Sequence, residues 1–388
     1  MRILVCPPTL GIGGSQRNAI DLGAAVRDRG HDVTILAPSG PMEEVAGAHG
    51  LEVVHLALHG RSRPAVVAMR AMRDLVRRQG VDVVHAYESA PGLEAFFGGA
   101  SVGVPIVVSV MSMTVPRRFP RSVPLIVGTK LLEQECARRG HRTLILLEPP
   151  IDTDADDPSV DGSAFRREHG LGDEEFAIVA VSRLARSLKL EGLEMAIDAM
   201  AVDGLRARLI IVGGGTESDH LAARAREVNE QVGRRAVVLA GPTTDPRPAY
   251  AAADVVLGMG GSILRGMAFA KPSVVLGEAG FYRLVSPETV DQFLHEGFYG
   301  VGEGSDPSAL AGCLRELTLD ESRRRALGAF ARELVCDRFS LPTAADALEL
   351  FYRRVLEDPS RPHITEVARA AAWVAGIKTK QRFAKVRG

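Results

Sequence analysis

The sequence predicts an α/β protein of two doubly wound, parallel-sheet domains, and three observations carry that prediction. Apolar runs of strand length alternate with helical patterns almost throughout. The chain has 388 residues, beyond the size at which a single core usually stops growing. The alternation breaks once, at Glu148-Pro149-Pro150-Ile151-Asp152-Thr153-Asp154-Ala155-Asp156-Asp157-Pro158, where prolines and acids replace it. That stretch separates an N-terminal domain, residues 1–150, from a second domain, residues 151–342.

In the first half, Arg2–Cys6, Asp32–Ala37, Val53–Leu56, Asp82–Ala86, Pro105–Val110, Pro124–Val127 and Thr143–Leu147 read as strands, with a helix near Gln16–Arg29 after the first. In the second half Phe176–Arg183, Ala207–Val212, Ala236–Leu239, Asp254–Leu257 and Pro272–Leu276 do so, with Val301 on a last short strand. Helices near Pro307–Leu317 and Glu321–Val335 follow, and one over 343–357 crosses back onto the first domain. The two domains are expected to face each other across a cleft, with ligands at the carboxyl ends of the strands.

Composition narrows the function. Aromatics make up 5% of residues and the net charge is −1, which argues against stacking on nucleic-acid bases or global attraction to polyanions. No nucleic-acid partner is expected. The charge is uneven, however: residues 361–388 carry +6 and the remainder −7. The four cysteines, Cys6, Cys136, Cys313 and Cys336, match no disulfide or metal spacing and suit a reducing compartment. The N-terminus passes straight into a strand, and no apolar run reaches transmembrane length. The expected location is cytoplasmic.

The richest stretch runs from Ala253 to Leu276 and reads as strand, glycine loop, short helix and strand. Gly258, Gly260 and Gly261 leave backbone N–H groups uncovered, and Ser262 stands where a helix N-cap belongs. Unpaired N–H groups and the positive end of a helix dipole favour a phosphate there. Arg183, after the first strand of the second domain, and Lys189, just beyond, add a planar fork and a point charge suited to a diphosphate. Gly213-Gly214-Gly215 and Gly241-Pro242-Thr243 open the next two strand ends, and Gly214 becomes a candidate contact. The first turn of the chain, Gly11-Ile12-Gly13-Gly14-Ser15-Gln16-Arg17, is either a structural turn or a ligand contact. It is no dinucleotide fingerprint, because no acidic residue closes a second strand at the required distance.

These motifs, in this order, resemble the GT-B-fold glycosyltransferases of the retaining family-4 type, over roughly residues 1–357. The resemblance rests on Gly13-Gly14-Ser15 with Arg17, Val84-His85-Ala86, Val181-Ser182-Arg183-Leu184 with Lys189, and Ile210-Ile211-Val212-Gly213-Gly214-Gly215. It continues in Tyr250-Ala251-Ala252-Ala253-Asp254-Val255-Val256 and Met267-Ala268-Phe269-Ala270-Lys271-Pro272. It implies two Rossmann-like domains and a hexosyltransferase using a nucleotide-diphosphate sugar, a UDP- or GDP-sugar, as co-substrate. It also implies retention at the anomeric carbon and no metal or other cofactor. Gly13, Gly14, Arg183, Lys189, Gly260, Gly261 and Ser262 would then bind the donor diphosphate. Arg17, His85, Arg117, Gly214, Arg265 and Glu278 are candidate donor or acceptor contacts.

The departures are as specific. A family glutamate that binds the donor ribose is replaced by Arg265, and Gly260-Gly261-Ser262 stands where another glutamate is expected. Lys189 lies one residue late, the histidine expected after Ile106–Val110 is absent, and Pro149-Pro150-Ile151-Asp152 replaces an Asn-Gly-Val-Asp signature. Glu278 is a candidate for the missing carboxylate and a candidate partner of Arg265. The run Arg117-Arg118-Phe119-Pro120-Arg121 is expected to be a flexible basic loop open to an anionic or lipid-phosphate acceptor, or simply a solvated one. Asp152-Thr153-Asp154 imitates a metal motif but lies in the linker, so no metal site is assigned. The tail, residues 358–388, has Val367, Ala371, Val374 and Ile377 at near-helical spacing beside basic residues. Such a helix either meets an anionic membrane, peripherally on its inner face, or packs on its own protein. No residue is assigned to catalysis, and the alternative to an enzyme is a catalytically silent partner of the same fold that binds a nucleotide or stabilises an active subunit. A sugar-nucleotide epimerase would need acid–base carboxylates that the motifs do not supply.

Overall fold

Short apolar runs buried on both faces, each followed by an amphipathic helix, can satisfy their backbones only as parallel strands covered by helices. The chain, described by a computed structural model over residues 1–172, 174–359 and 362–387, does this twice. It divides into two compact units, one of Met1–Pro150 with Leu341–Gly388, the other of Ile151–Ser340.

Unit 1 holds a seven-stranded parallel sheet of β1 (Arg2–Cys6), β2 (Asp32–Ala37), β3 (Glu52–His55), β4 (Val83–Tyr87), β5 (Ile106–Val110), β6 (Leu125–Val127) and β7 (Leu144–Leu146). Their order is β3-β2-β1-β4-β5-β6-β7. The chain therefore reverses its winding between β1 and β4, which places the loops after those strands at the switch point.

Unit 2 repeats the plan with β8 (Ala177–Val181), β9 (Arg208–Val212), β10 (Val237–Gly241), β11 (Val255–Gly258), β12 (Ser273–Leu276) and β13 (Tyr282–Leu284). The order is β10-β9-β8-β11-β12-β13, and β13 alone runs antiparallel, on β12. The winding reverses between β8 and β11. Val301, expected on a last strand, makes only an isolated bridge to Glu278. The actual edge strand, Tyr282–Leu284, is three residues beside a glycine turn and leaves no periodic signal.

The Leu341–Glu357 helix packs on unit 1, burying Leu348, Phe351 and Tyr352 in the cluster of β1, β2 and the Gly14–Arg27 helix. Tyr352 Oη and Ser109 Oγ lie 2.6 and 2.7 Å from the two ring nitrogens of His85. His85 is fully buried within β4 and stacks on Tyr87. It cannot serve as the ligand contact proposed from sequence: burial pushes its pKa down to about 3, and both nitrogens are taken.

The Ile364–Arg387 helix also lies on unit 1, with Ala370 buried and Val367, Trp373 and Val374 against the core. Glu366 accepts the N–H groups of Arg121 and Ser122, and Gln381 bonds Ser62. The side bearing Val367, Ala370, Trp373 and Val374 is thus covered by its own domain, while Ile364 and Ala371, the latter expected on the apolar stripe, are exposed. Arg361 and the side chains beyond Gln381, which supply much of the tail's charge, lie outside the described residues. Among the described residues no helix is long and apolar enough to cross a membrane.

Removing the Tyr352 hydroxyl leaves a buried imidazole nitrogen without its partner. Tyr352→Phe is expected to destabilise unit 1 by about 1–3 kcal/mol, read from urea unfolding. An unchanged midpoint would show that the bond to His85 is not holding the helix.

Candidate functional site

The sequence candidates of unit 2 gather at the carboxyl ends of four neighbouring strands, β9, β8, β11 and β12. The loop after β8 is laid against the glycines after β9. Leu184 N–H bonds Gly214 O at 3.0 Å, and Ser182 N–H bonds Val212 O at 3.0 Å. A Cβ on Gly213 would fall 1.8 Å from Ser182 O, and one on Gly215 would fall 2.1 Å from Leu184 O. No side chain fits at either place. These two glycines let the Arg183 loop approach, and a Cβ on Gly214 between them would come within 3.2 Å of Pro242.

Arg183, in that loop, is exposed, and no hydrogen bond or ion pair holds its guanidinium among the described residues. Lys189 opens the regular part of the Arg186–Ala199 helix, because Ser187 and Leu188 before it are non-helical. Leu188 has φ +68° and ψ −19°, a conformation that costs a bulky residue of the order of 1–3 kcal/mol. Burial, with Arg183 adding to it, pushes the Lys189 amine down to about 8. Its ammonium likewise has no carboxylate partner among the described residues. Two cations held close without a counterion make an anion site.

The loop after β11 completes the arrangement. Gly260, at φ +57° and ψ −135°, adopts a backbone that only glycine takes readily, and an added Cβ there or on Gly261 would meet open space. The helix begins at Gly261, with Gly260 at its N-cap, two residues before the expected start, and its first N–H groups lack helical acceptors. Ser262 does not cap it. The hydroxyl turns back to Met259, donating to its carbonyl at 2.9 Å.

Arg265 and Glu278, expected to face ligand or each other, do not pair with each other. Arg265 is 9% exposed and reaches the carboxylate of Asp156, itself 1% exposed, at 3.4 Å. A buried guanidinium requires a buried counter-charge, and the linker supplies it. Glu278 accepts the Leu188 N–H at 3.2 Å through one oxygen and the Tyr299 hydroxyl through the other. Asp152 likewise turns inward, accepting N–H groups from Asp154 and Ala155 in a local turn.

In unit 1 the first glycine turn lies at the β1 end of the switch point. Gly13 is the extended residue before the Gly14–Arg27 helix, and Arg17 is bound at 2.7 Å to the buried Asp21 one turn on. Arg117 and Arg118 are exposed, in a loop that buries Val115, Phe119 and Val123. One residue escaped the sequence reading altogether. Glu88, at the end of β4, has φ +69° and accepts Met111 N–H and Ser112 Oγ–H, tying the β4 and β5 loops together. Only its place between a buried strand and a helix hinted at it.

Arg265→Glu would set two carboxylates together in the interior of unit 2. The expected loss is about 3–5 kcal/mol, measured by urea unfolding; a variant as stable as the parent would show the Asp156 pair to be dispensable.

The comparisons follow the same division of the chain. The profile of Glycosyltransferase Family 4 matches residues 12–126, and that of Glycosyl transferases group 1 matches residues 175–320. A GDP-mannose-dependent alpha-(1-6)-phosphatidylinositol monomannoside mannosyltransferase of Mycobacterium tuberculosis is 28% identical over 373 residues, covering 86% of this chain and 92% of its own. A glycosyltransferase of Rickettsia africae has a similar fold, with a TM-score of 0.74 at 15% identity over 92% of this chain and 99% of that one. HepE of Anabaena, solved in complex with UDP, superposes with a TM-score of 0.69 at 17% identity, over 90% and 99% of the two chains. Two Rossmann-like units, the cation pair at a strand-end switch point and both profile matches agree: the chain belongs to the GT-B glycosyltransferases of the family-4 type and is a nucleotide-sugar-dependent transferase.

Proposed function

We propose that the enzyme transfers a hexose, with retention, from a GDP-sugar to a hydroxyl of a lipid-linked or glycan acceptor. The single observation that carries the donor site is the pair Arg183 and Lys189, two cations without carboxylate partners among the described residues, at the switch point of unit 2. The guanine base is favoured by the mycobacterial relative, whose alignment spans most of both chains. Retention is supported by the family to which the chain belongs.

The chemistry asks for charge stabilisation more than for covalent help. As the glycosidic bond to the donor breaks, negative charge grows on the departing diphosphate. The Arg183 guanidinium suits two phosphate oxygens, the Lys189 ammonium suits a third, and the first N–H groups of the Gly261–Ala268 helix point their dipole at the same charge. These groups stand in place before the reaction, so little reorganisation accompanies bond breaking. The incoming hydroxyl attacks the face from which the diphosphate leaves, and the departing phosphate oxygen is positioned to take its proton.

Removing the guanidinium should remove a charge-assisted bond of roughly 1.5–3 kcal/mol, so Arg183→Ala is expected to weaken GDP or UDP binding roughly tenfold or more. Calorimetry giving the parent's affinity in a folded variant would refute the assignment.

The depressed lysine makes a second, independent forecast. In the free enzyme Lys189 loses its proton as pH rises through about 8. A bound diphosphate favours the protonated form, so affinity should be full below about 8 and decline above it. Lys189→Met should flatten that alkaline decline between pH 7 and 9. A parent profile that is flat over the same range would show that the amine does not meet the phosphates.

A further inference from the structure

The placement of Lys189 has no side-chain explanation. Its ammonium is part-buried, sits near the Arg183 guanidinium, and forms no hydrogen bond or ion pair among the described residues. Desolvation and like charge both favour its leaving for solvent. What keeps it is the backbone immediately before it. Leu188, with φ +68°, ends the non-helical link and sets the direction in which the helix starts at Lys189. A leucine does not hold that conformation by preference. Its N–H is fixed by Glu278 Oε1 at 3.2 Å.

Glu278 is itself fixed from two sides. Its other oxygen accepts the Tyr299 hydroxyl, and its own backbone N–H bonds Gly300 O at 3.0 Å. The contact is returned by Glu191, whose carboxylate accepts the N–H of Ala279. The loop after β12 and the start of the Lys189 helix are therefore buckled together by two carboxylate-to-amide bonds of opposite direction. Both ends of the buckle lie beside the cation pair, and neither carboxylate neutralises it.

We propose that Glu278, braced by Tyr299, is a positioning residue for the donor diphosphate: it holds Leu188 in its strained turn and thereby aims Lys189 beside Arg183. Glu278 does not take the place of the absent ribose-binding glutamate. It acts on the phosphates, through another residue. The inference rests on the diphosphate site proposed above, and the experiment separates the two.

Binding of GDP and UDP, with guanosine and uridine as phosphate-free comparators, is measured by calorimetry on the parent and on Lys189→Ala, Glu278→Ala, the double variant, Glu278→Gln and Tyr299→Phe. Glu278→Ala is expected to weaken the diphosphates about as much as Lys189→Ala does, roughly tenfold, while nucleoside affinity stays within about twofold. The double variant should be no weaker than Lys189→Ala alone, because both changes remove the same contact. Glu278→Gln should recover most of the loss, since its amide oxygen still accepts the Leu188 N–H. Tyr299→Phe, which leaves the carboxylate in place, should fall between the parent and Glu278→Ala. It also carries the test, together with Glu278→Gln, if Glu278→Ala does not fold.

Additive losses in the double variant, an equal loss for nucleosides, or undiminished diphosphate binding in Glu278→Ala would each overturn the proposal. If Lys189→Ala itself binds both diphosphates like the parent, the diphosphate site is wrong. If Lys189→Ala is weakened and the Glu278 and Tyr299 variants are not, only the positioning role falls.

Discussion

The carboxyl edge of the unit 2 sheet depends on a backbone-to-backbone fit, the loop Ser182–Leu184 lying directly on Gly213 and Gly215. Arg183 is exposed and has no partner among the described residues, so nothing but the path of its own backbone decides where it stands. That path exists only because two glycines leave room for two carbonyl oxygens. Lys189 is governed in the same way, by a backbone turn and not by a counterion. Cations placed by neighbouring carboxylates would arrive already neutralised. Placed by peptide geometry, they keep their charge, at the expense of mutual repulsion and desolvation that show in the low pKa of the lysine.

The carboxylates that might have filled the site are directed elsewhere. Asp156 sits with Arg265 in the interior, Glu278 serves Leu188 and Tyr299, and Asp152 closes its own turn. An arginine where the family carries glutamate is a reversal of charge in a confined position. Such a reversal is tolerable only with an opposite charge delivered to the same place, and the chain delivers Asp156 from the stretch that enters unit 2. The departure from the family pattern is thus a matched pair of residues and not a single change.

The fold was legible because its signal is local. Strand runs such as Ile178–Val181 and Val255–Leu257 announce themselves by length and apolarity, and the glycines that follow announce the turns. The cation pair was legible for the same reason, since Arg183 and Lys189 flank one loop. What the sequence hid were relations at long range. His85 resembles a strand-end ligand until Ser109 and Tyr352, the latter 267 positions away, are seen to occupy both its nitrogens. Arg265 and Asp156 are far apart in sequence, and no pattern links them. Glu278 carried a carboxylate of the right kind for a sugar site, yet a hydrogen bond to a leucine amide has no compositional signature. The positive φ of Leu188 and Glu88 was likewise invisible, because neither residue type advertises it.

The return of Leu341–Glu357 to unit 1 has a consequence for how the protein is made. Unit 1 is split in sequence, and Leu348, Phe351 and Tyr352 fill its core from beyond the whole of unit 2. A growing chain that has emitted residues 1–150 lacks the helix that packs on Gly14–Arg27, and His85 then has only one of its two partners, Ser109. Unit 2, contiguous from Ile151 to Ser340, has all its parts earlier than unit 1 does. During synthesis the second unit is therefore the first that can finish, and the N-terminal unit must wait for the helix that completes its core.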